Sequence, residues 1–146
     1  MVMNKKTMEV AKKLGNPVER KGSVWIDIPS SGIARALKQV RQATERISDL
    51  CVYDTGKGML EVMYRFVLGN RDILTIRTKI RSNNPKLPTC TGLFPGALLF
   101  EREQHEMFGV QFSGHPGLDK CLYADSTPKT PLRKDSGWKA GGGGSR

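Results

Sequence analysis

A chain of 146 residues with 38% hydrophobic side chains can close one domain around its own core and is too short for two large ones. Twenty-four Lys and Arg against 14 Asp and Glu leave a net charge of +10, which favours anionic partner surfaces and disfavours cationic ones. No run of residues approaches the roughly 20 consecutive apolar positions needed to cross a bilayer, so no membrane span is expected.

The opening stretch MVMNKKTMEVAKKL has no apolar core followed by a small-residue cleavage site. It reads as an amphipathic helix over 4–14, with Met8, Val10, Ala11 and Leu14 among lysines, stopped by Gly15-Asn16-Pro17, and a cytoplasmic location is the expectation. Over 24–28 the chain alternates, which puts Val24, Ile26 and Ile28 on one face of a strand that Pro29 ends. Ser30 or Ser31 can cap a second helix, with Ile33, Leu37 and Val40 at i, i+4 and i+7 and Arg35, Lys38, Gln39, Arg41 and Gln42 on its other side.

Three strands are expected next, over 47–54, 59–68 and 72–80. Leu60, Val62, Tyr64, Phe66 and Leu68 share a face of the second, and Leu74, Ile76, Thr78 and Ile80 a face of the third, with Arg77 and Lys79 opposite. Thr55-Gly56-Lys57-Gly58 and Gly69-Asn70-Arg71 supply hairpin turns. Together these elements predict an α+β fold: a two-layer sandwich of a mainly antiparallel sheet with helices on one side.

Residues 83–88 form a loop by composition, and Phe94-Pro95-Gly96 starts a third helix over 95–108 that ends at Gly109. The α+β domain is drawn as 1–112. Beyond it, 113–146 shows little periodicity, carries Pro116, Pro128 and Pro131, and is expected to be an extended tail that wraps a partner and ends in a flexible Gly-rich run.

Charge falls on several sides of the third helix. Ala97, Glu101, His105 and Phe108 form one row, Leu98, Arg102 and Glu106 another, Leu99, Glu103 and Met107 a third. A helix without a clean solvent face, followed by an apolar segment, suggests charges satisfied by a docked neighbour.

Other chemistries fit poorly. Glu101 and His105 at i, i+4 with His115 nearby could be imagined as metal ligands, but HExxH is absent and helical Glu–His pairs more often make interface hydrogen bonds. Glu101 and Glu103, two apart, point to different sides of a helix, which argues against paired acid–base work. Cys51, Cys90 and Cys121 form no CxxC pair and have no histidine placed beside them, so ordinary thiols are expected. The alternative to docking is a basic nucleic-acid-binding module; against it, Lys and Arg are spread from Lys5 to Arg146, and Tyr64 and Phe66 fall on the core face.

The run Glu101-Arg102-Glu103-Gln104-His105-Glu106-Met107-Phe108-Gly109-Val110, then Phe112-Ser113-Gly114-His115-Pro116, then Pro131-Leu132-Arg133-Lys134-Asp135, resembles the signature of the C-subunit family of respiratory complex I. That family includes homologous proteins of membrane-bound, energy-converting nickel-iron hydrogenases and related dehydrogenases. The resemblance is close over about 92–135 and looser upstream. Glu106 stands where the family more often has aspartate, and 117–121 is poorer in arginine than the family tends to be.

The resemblance implies a non-catalytic docking subunit in the peripheral arm of such an oxidoreductase, on the cytoplasmic side of the membrane. It would hold no cofactor itself, and would pack on the large catalytic subunit beside the small subunit that carries iron–sulfur clusters, with any nickel-iron centre also in the partners. The residues expected at the partner interface are Glu101, Arg102, Glu103, Glu106, Met107, Phe108, Gly109, His115, Pro116, Pro131, Leu132, Arg133 and Lys134.

Overall fold

Two ten-residue runs dictate the centre of the sheet, one buried at every second residue over 59–68 and the other alternating over 72–81 except at the buried Thr75. In the computed structural model, which describes residues 3–119 and 121–138, α1 (Lys5–Leu14) is followed by β1 (Val18–Arg20), β2 (Ser23–Asp27) and α2 (Ile33–Arg41). Then come the long strands, with β3 (Asp49–Asp54), β4 (Met59–Leu68) and β5 (Asp72–Arg81). After them lie β6 (Lys86–Pro88), α3 (Ala97–Phe108) and β7 (Gln111–Ser113). The Gly-rich run at 141–145 lies outside the described residues.

The main sheet has the order β1-β2-β5-β4-β3 and is antiparallel except where β2 lies parallel to β5. This is the α+β fold expected from the sequence. Its inward face carries Val24, Ile26, Leu50, Val52, Leu60, Val62, Tyr64, Phe66, Leu74, Ile76 and Ile80, all buried. Residues two apart share a face, so one hydrophobic alternation fixes the register of the whole meander. Each fully buried large side chain contributes roughly 1.5–3 kcal/mol, which is why the layer holds without disulfides.

The helices cover that face. α1 lies on β2 and β5, α2 packs against α1, and α3 lies along β3 at the far edge of the sheet. Asn4 starts α1: its side-chain oxygen accepts from the Lys6 N–H at 2.9 Å, and its own N–H donates to the Asp72 carboxylate at 2.7 Å, tying the helix to the head of β5.

Two local expectations need correction, and one strand was not expected. α2 has no serine cap; a 3-10 turn over Ser30–Gly32, with the Gly32 N–H bonded to the Pro29 carbonyl at 2.8 Å, leads into it instead. β1 escapes the pattern because its three residues are all exposed and carry no alternation. Residues 83–88 are not all loop, since β6 pairs in parallel with β7, flanked by hydrogen bonds from the Gln111 N–H to the Pro85 carbonyl (2.7 Å) and from the Thr89 N–H to the Ser113 carbonyl (2.9 Å). A partner some 25 residues along leaves no local trace in a three-residue segment.

Candidate functional site: the α3 seam

The buried side of α3 is Ala97, Glu101, Gln104 and Phe108, with Gln104 in the place the row reading gave to His105. Glu101 is fully buried at the helix start. One carboxylate oxygen accepts from the Cys90 N–H at 2.7 Å, and the other accepts from the Thr89 hydroxyl. Charge-assisted bonds of this kind are among the stronger ones, and they clamp the 89–91 turn onto α3. Gln104 accepts from the Val52 N–H at 3.0 Å. Because β3 is an edge strand, that N–H has no neighbouring strand to pair with, and the amide side chain takes the place of one.

His115 closes the same end. Its Nε2–H donates to the Leu98 carbonyl at 3.1 Å, 4.0 Å from the Glu101 carboxylate, and its Nδ1 accepts from the Gly117 N–H at 2.9 Å. Both ring nitrogens are thus engaged within the chain. Burial, reinforced by the neighbouring Glu101 carboxylate, pushes the Cys90 thiol far above its ordinary value. Burial also raises the thiols of Cys51 and Cys121, so all three cysteines stay protonated and poorly nucleophilic.

After β7 the chain turns back over the C-terminal half of α3. Glu106 accepts from three successive N–H groups, those of Cys121 (2.9 Å), Leu122 (2.8 Å) and Tyr123 (2.7 Å). Burial acts to raise this carboxyl, but the three donors outweigh it and hold the group below its usual range. Arg133 reaches the Phe108 carbonyl at the end of α3 (2.7 Å) and the Ser82 carbonyl beyond β5 (2.6 Å), while the Leu132 N–H bonds to the Met107 carbonyl at 3.2 Å. Asp54 accepts from the N–H groups of Gly56 and Lys134 at 2.8 and 2.9 Å. Burial opposes its ionisation and those donors prevail, so this carboxyl too lies below its ordinary value. Gly109, left-handed at φ 76°, ends α3, and a Cβ there would stand 2.8 Å from the Thr130 methyl.

The thirteen residues expected at a partner interface therefore divide. Glu101, Glu106, Phe108, Gly109, His115, Pro131 and the Arg133 guanidinium are taken up inside the chain, because the tail folds onto its own α3. Arg102, Glu103 and Met107 are half-buried, and Pro116, Leu132 and Lys134 are exposed, with the Lys134 ammonium 5.3 Å from the Tyr53 ring centre. Arg102 makes one long bond, 3.5 Å to the Asp119 carbonyl, and Glu103 has no ion pair among the described residues.

Sequence reasoning missed Leu99, Leu122, Gln104 and Asp54. Leu99 is 63% exposed and Leu122 54%. Leu99, Arg102, Glu103 and Glu106 stand at i, i+3, i+4 and i+7, one side of the helix, and Glu106 carries Leu122 on the loop it holds. Plotting α3 as a wheel with Phe108 buried would have found Leu99 outward. Tyr64 and Phe66, which a base-stacking sheet would have to display, are fully buried. Among the described residues no group of His, Cys, Asp and Glu is arranged to hold a metal.

A five-stranded sheet capped by an edge helix, with a tail stapled to that helix, is a fold found in other solved structures. It is shared, at a TM-score of 0.77 and 22% identity over 90% of this chain and 85% of the other, with a chain from the membrane-bound sulfane sulfur reductase, an archaeal respiratory membrane complex. It is shared also with the trypsin-resistant fragment of Nqo5, at a TM-score of 0.64 and 23% identity over 76% of this chain and 95% of that one. Residues 26–141 match the family described as respiratory-chain NADH dehydrogenase, 30 Kd subunit, and the chain belongs to that family.

Among relatives, the C subunit of NADH-quinone oxidoreductase from Roseiflexus sp. (strain RS-1) is 41% identical over 76 residues, 51% of this chain and 44% of that protein. The C/D subunit of NADH-quinone oxidoreductase from Enterobacter sp. (strain 638) is 47% identical over 66 residues, 45% of this chain and 11% of the other. The matched segments thus span less than half the length of either relative.

Proposed function

We propose that the chain is a non-catalytic docking subunit of a complex I-like, membrane-bound oxidoreductase. It sits peripherally on the cytoplasmic side and packs through the outward side of α3 and the tail loop on the large catalytic subunit, beside the small subunit that carries the iron–sulfur clusters. The names of its relatives, subunits of NADH-quinone oxidoreductase, support such a parent assembly. Redox cofactors belong to the partners. This chain fixes the distance between them, on which electron transfer depends.

The observation that carries this reading is the inverted polarity of α3. Its buried side holds Glu101 and Gln104, while Leu99 stands in solvent beside Arg102 and Glu103. An exposed leucine flanked by incompletely paired charge is the composition of an interface centre with its polar rim. Leu122, on the loop pinned by Glu106, extends the same surface.

The test is Leu99→Asp combined with Leu122→Asp in the intact assembly. Neither side chain supports the chain's own core, so thermal unfolding of the isolated subunit should be unchanged. Losing two buried leucines at an interface costs roughly 3–6 kcal/mol of association, enough to strip the subunit from purified complex, as native mass spectrometry would read. Full retention of the double variant would overturn the proposal.

A further inference from the structure

The first two helices carry a second surface. Within the first 46 residues lie ten Lys and Arg against four Asp and Glu, so fewer than a third of the residues hold more than half of the net charge. The excess is displayed rather than paired. Lys5, Lys6, Lys12 and Lys13 are exposed on α1, and Arg35 and Lys38 on α2; none of the six has an ion pair among the described residues. Of the acids on this layer, Glu45 is occupied by Arg41 at 3.4 Å, which leaves Glu9 alone on α1.

Geometry makes these charges one patch. The buried sides of the two helices, Thr7 and Ala11 on α1 and Ile33, Ala36, Leu37 and Val40 on α2, both face inward, and the helices touch. Their outward sides therefore lie next to each other. Lys5 and Lys12 are seven residues apart, about 10 Å along the axis at 1.5 Å per residue. α1 sits over β2 and β5, whereas α3 runs along β3 at the other edge of the sheet. A partner held through the outward side of α3 leaves the α1 side of the basic layer open, α2 being the part nearer to β6.

We propose that the outer side of the α1–α2 layer is a docking surface for an acidic protein, distinct from the α3 seam and engaged transiently. Charge complementarity selects an anionic partner. A lipid surface is disfavoured because α1 and α2 expose no large hydrophobic side chain to insert between headgroups. Nucleic acid is disfavoured because neither helix carries an aromatic residue for base stacking. Lysine, a strongly hydrated point charge on a flexible stem, suits fast, salt-sensitive encounter rather than a locked interface.

The experiment uses the assembled complex and three probes, each titrated at rising salt: polyglutamate, phosphatidylserine vesicles and single-stranded RNA. The variant is Lys5→Glu, Lys6→Glu, Lys12→Gln, Lys13→Gln; acid is confined to the first turn, where it suits the helix dipole, and neutral residues to the last. Polyglutamate should bind the parent complex more tightly than either other probe, and the variant should lose about tenfold or more in association rate. A control change on the tail, Lys129→Glu, should lose nothing. Retention of the variant in the assembly shows that the α3 seam is intact, so failure here stays separate from failure of the docking role. Undiminished polyglutamate binding by the variant, an equal loss in the Lys129 control, or tighter binding of vesicles or RNA by the parent would overturn the proposal.

Discussion

Glu101 and Gln104 show how little room the α3 seam leaves for substitution. Replacing Glu101 by Leu keeps the volume but orphans the buried Cys90 N–H, at about 1–3 kcal/mol for a buried group left unpaired, while the half-buried Thr89 hydroxyl keeps the Thr91 hydroxyl 3.0 Å away. Urea unfolding should therefore show a destabilisation of about 1–3 kcal/mol for Glu101→Leu and a much smaller one for Glu101→Gln, which still offers one acceptor. Gly109 is a second sensitive point. Gly109→Ala forces a left-handed L-residue, costing about 1–2 kcal/mol, and drives its Cβ against the Thr130 methyl. Repeating it in a Thr130→Ser background removes the methyl, so thermal melts of the pair should separate backbone strain from the clash. The family signature residues were plain in the sequence, but their duties were not. Glu101, Glu106 and Arg133 looked like charges kept for another polypeptide, because the N–H and carbonyl groups that satisfy them are backbone atoms up to 51 residues away, which no side-chain pattern records.

At the level of elements, the tail is held to α3 and β3 by carboxylates gripping backbone N–H groups. Glu106 and Asp54 both titrate below their ordinary values of 4.5 and 3.8. The attached tail thus binds fewer protons than a free one. Its attachment is at full strength above those values and is lost as pH falls through the lowered ones. In a Trp25→Phe background, Trp138, whose ring centre lies 6.3 Å from that of Tyr123, reports the event by fluorescence: the signal should hold from pH 7 to about 5 and change below about 4. Glu106→Gln should give the released signal at neutral pH. The long strands were legible because period-two alternation is a local property, repeated over ten residues in β4 and again in β5. The short β1, β6 and β7 offered no such repeat, and the rows of α3 pointed to no buried side because Gln104 belongs there only once β3 is known to be an edge.

Over the whole molecule, two surfaces have different characters: a seam of buried polar contacts beside β3, and a layer of mostly unpaired cations on α1 and α2. Composition announced the net charge, and only the fold showed that its largest share gathers on one side. Order of construction follows from the one parallel pairing in the main sheet. β3, β4 and β5 are consecutive and can zip as hairpins, but β2 must lie beside β5, with Asp27 gripping Arg77 at 2.6 Å across 50 positions of chain. At about 5–20 residues per second, a ribosome delivers β2 several seconds before the strand it needs. The amino-terminal portion therefore waits, and the bare flank of β5 is where two unfinished copies, crowded on one message, can cross-pair before each closes on itself.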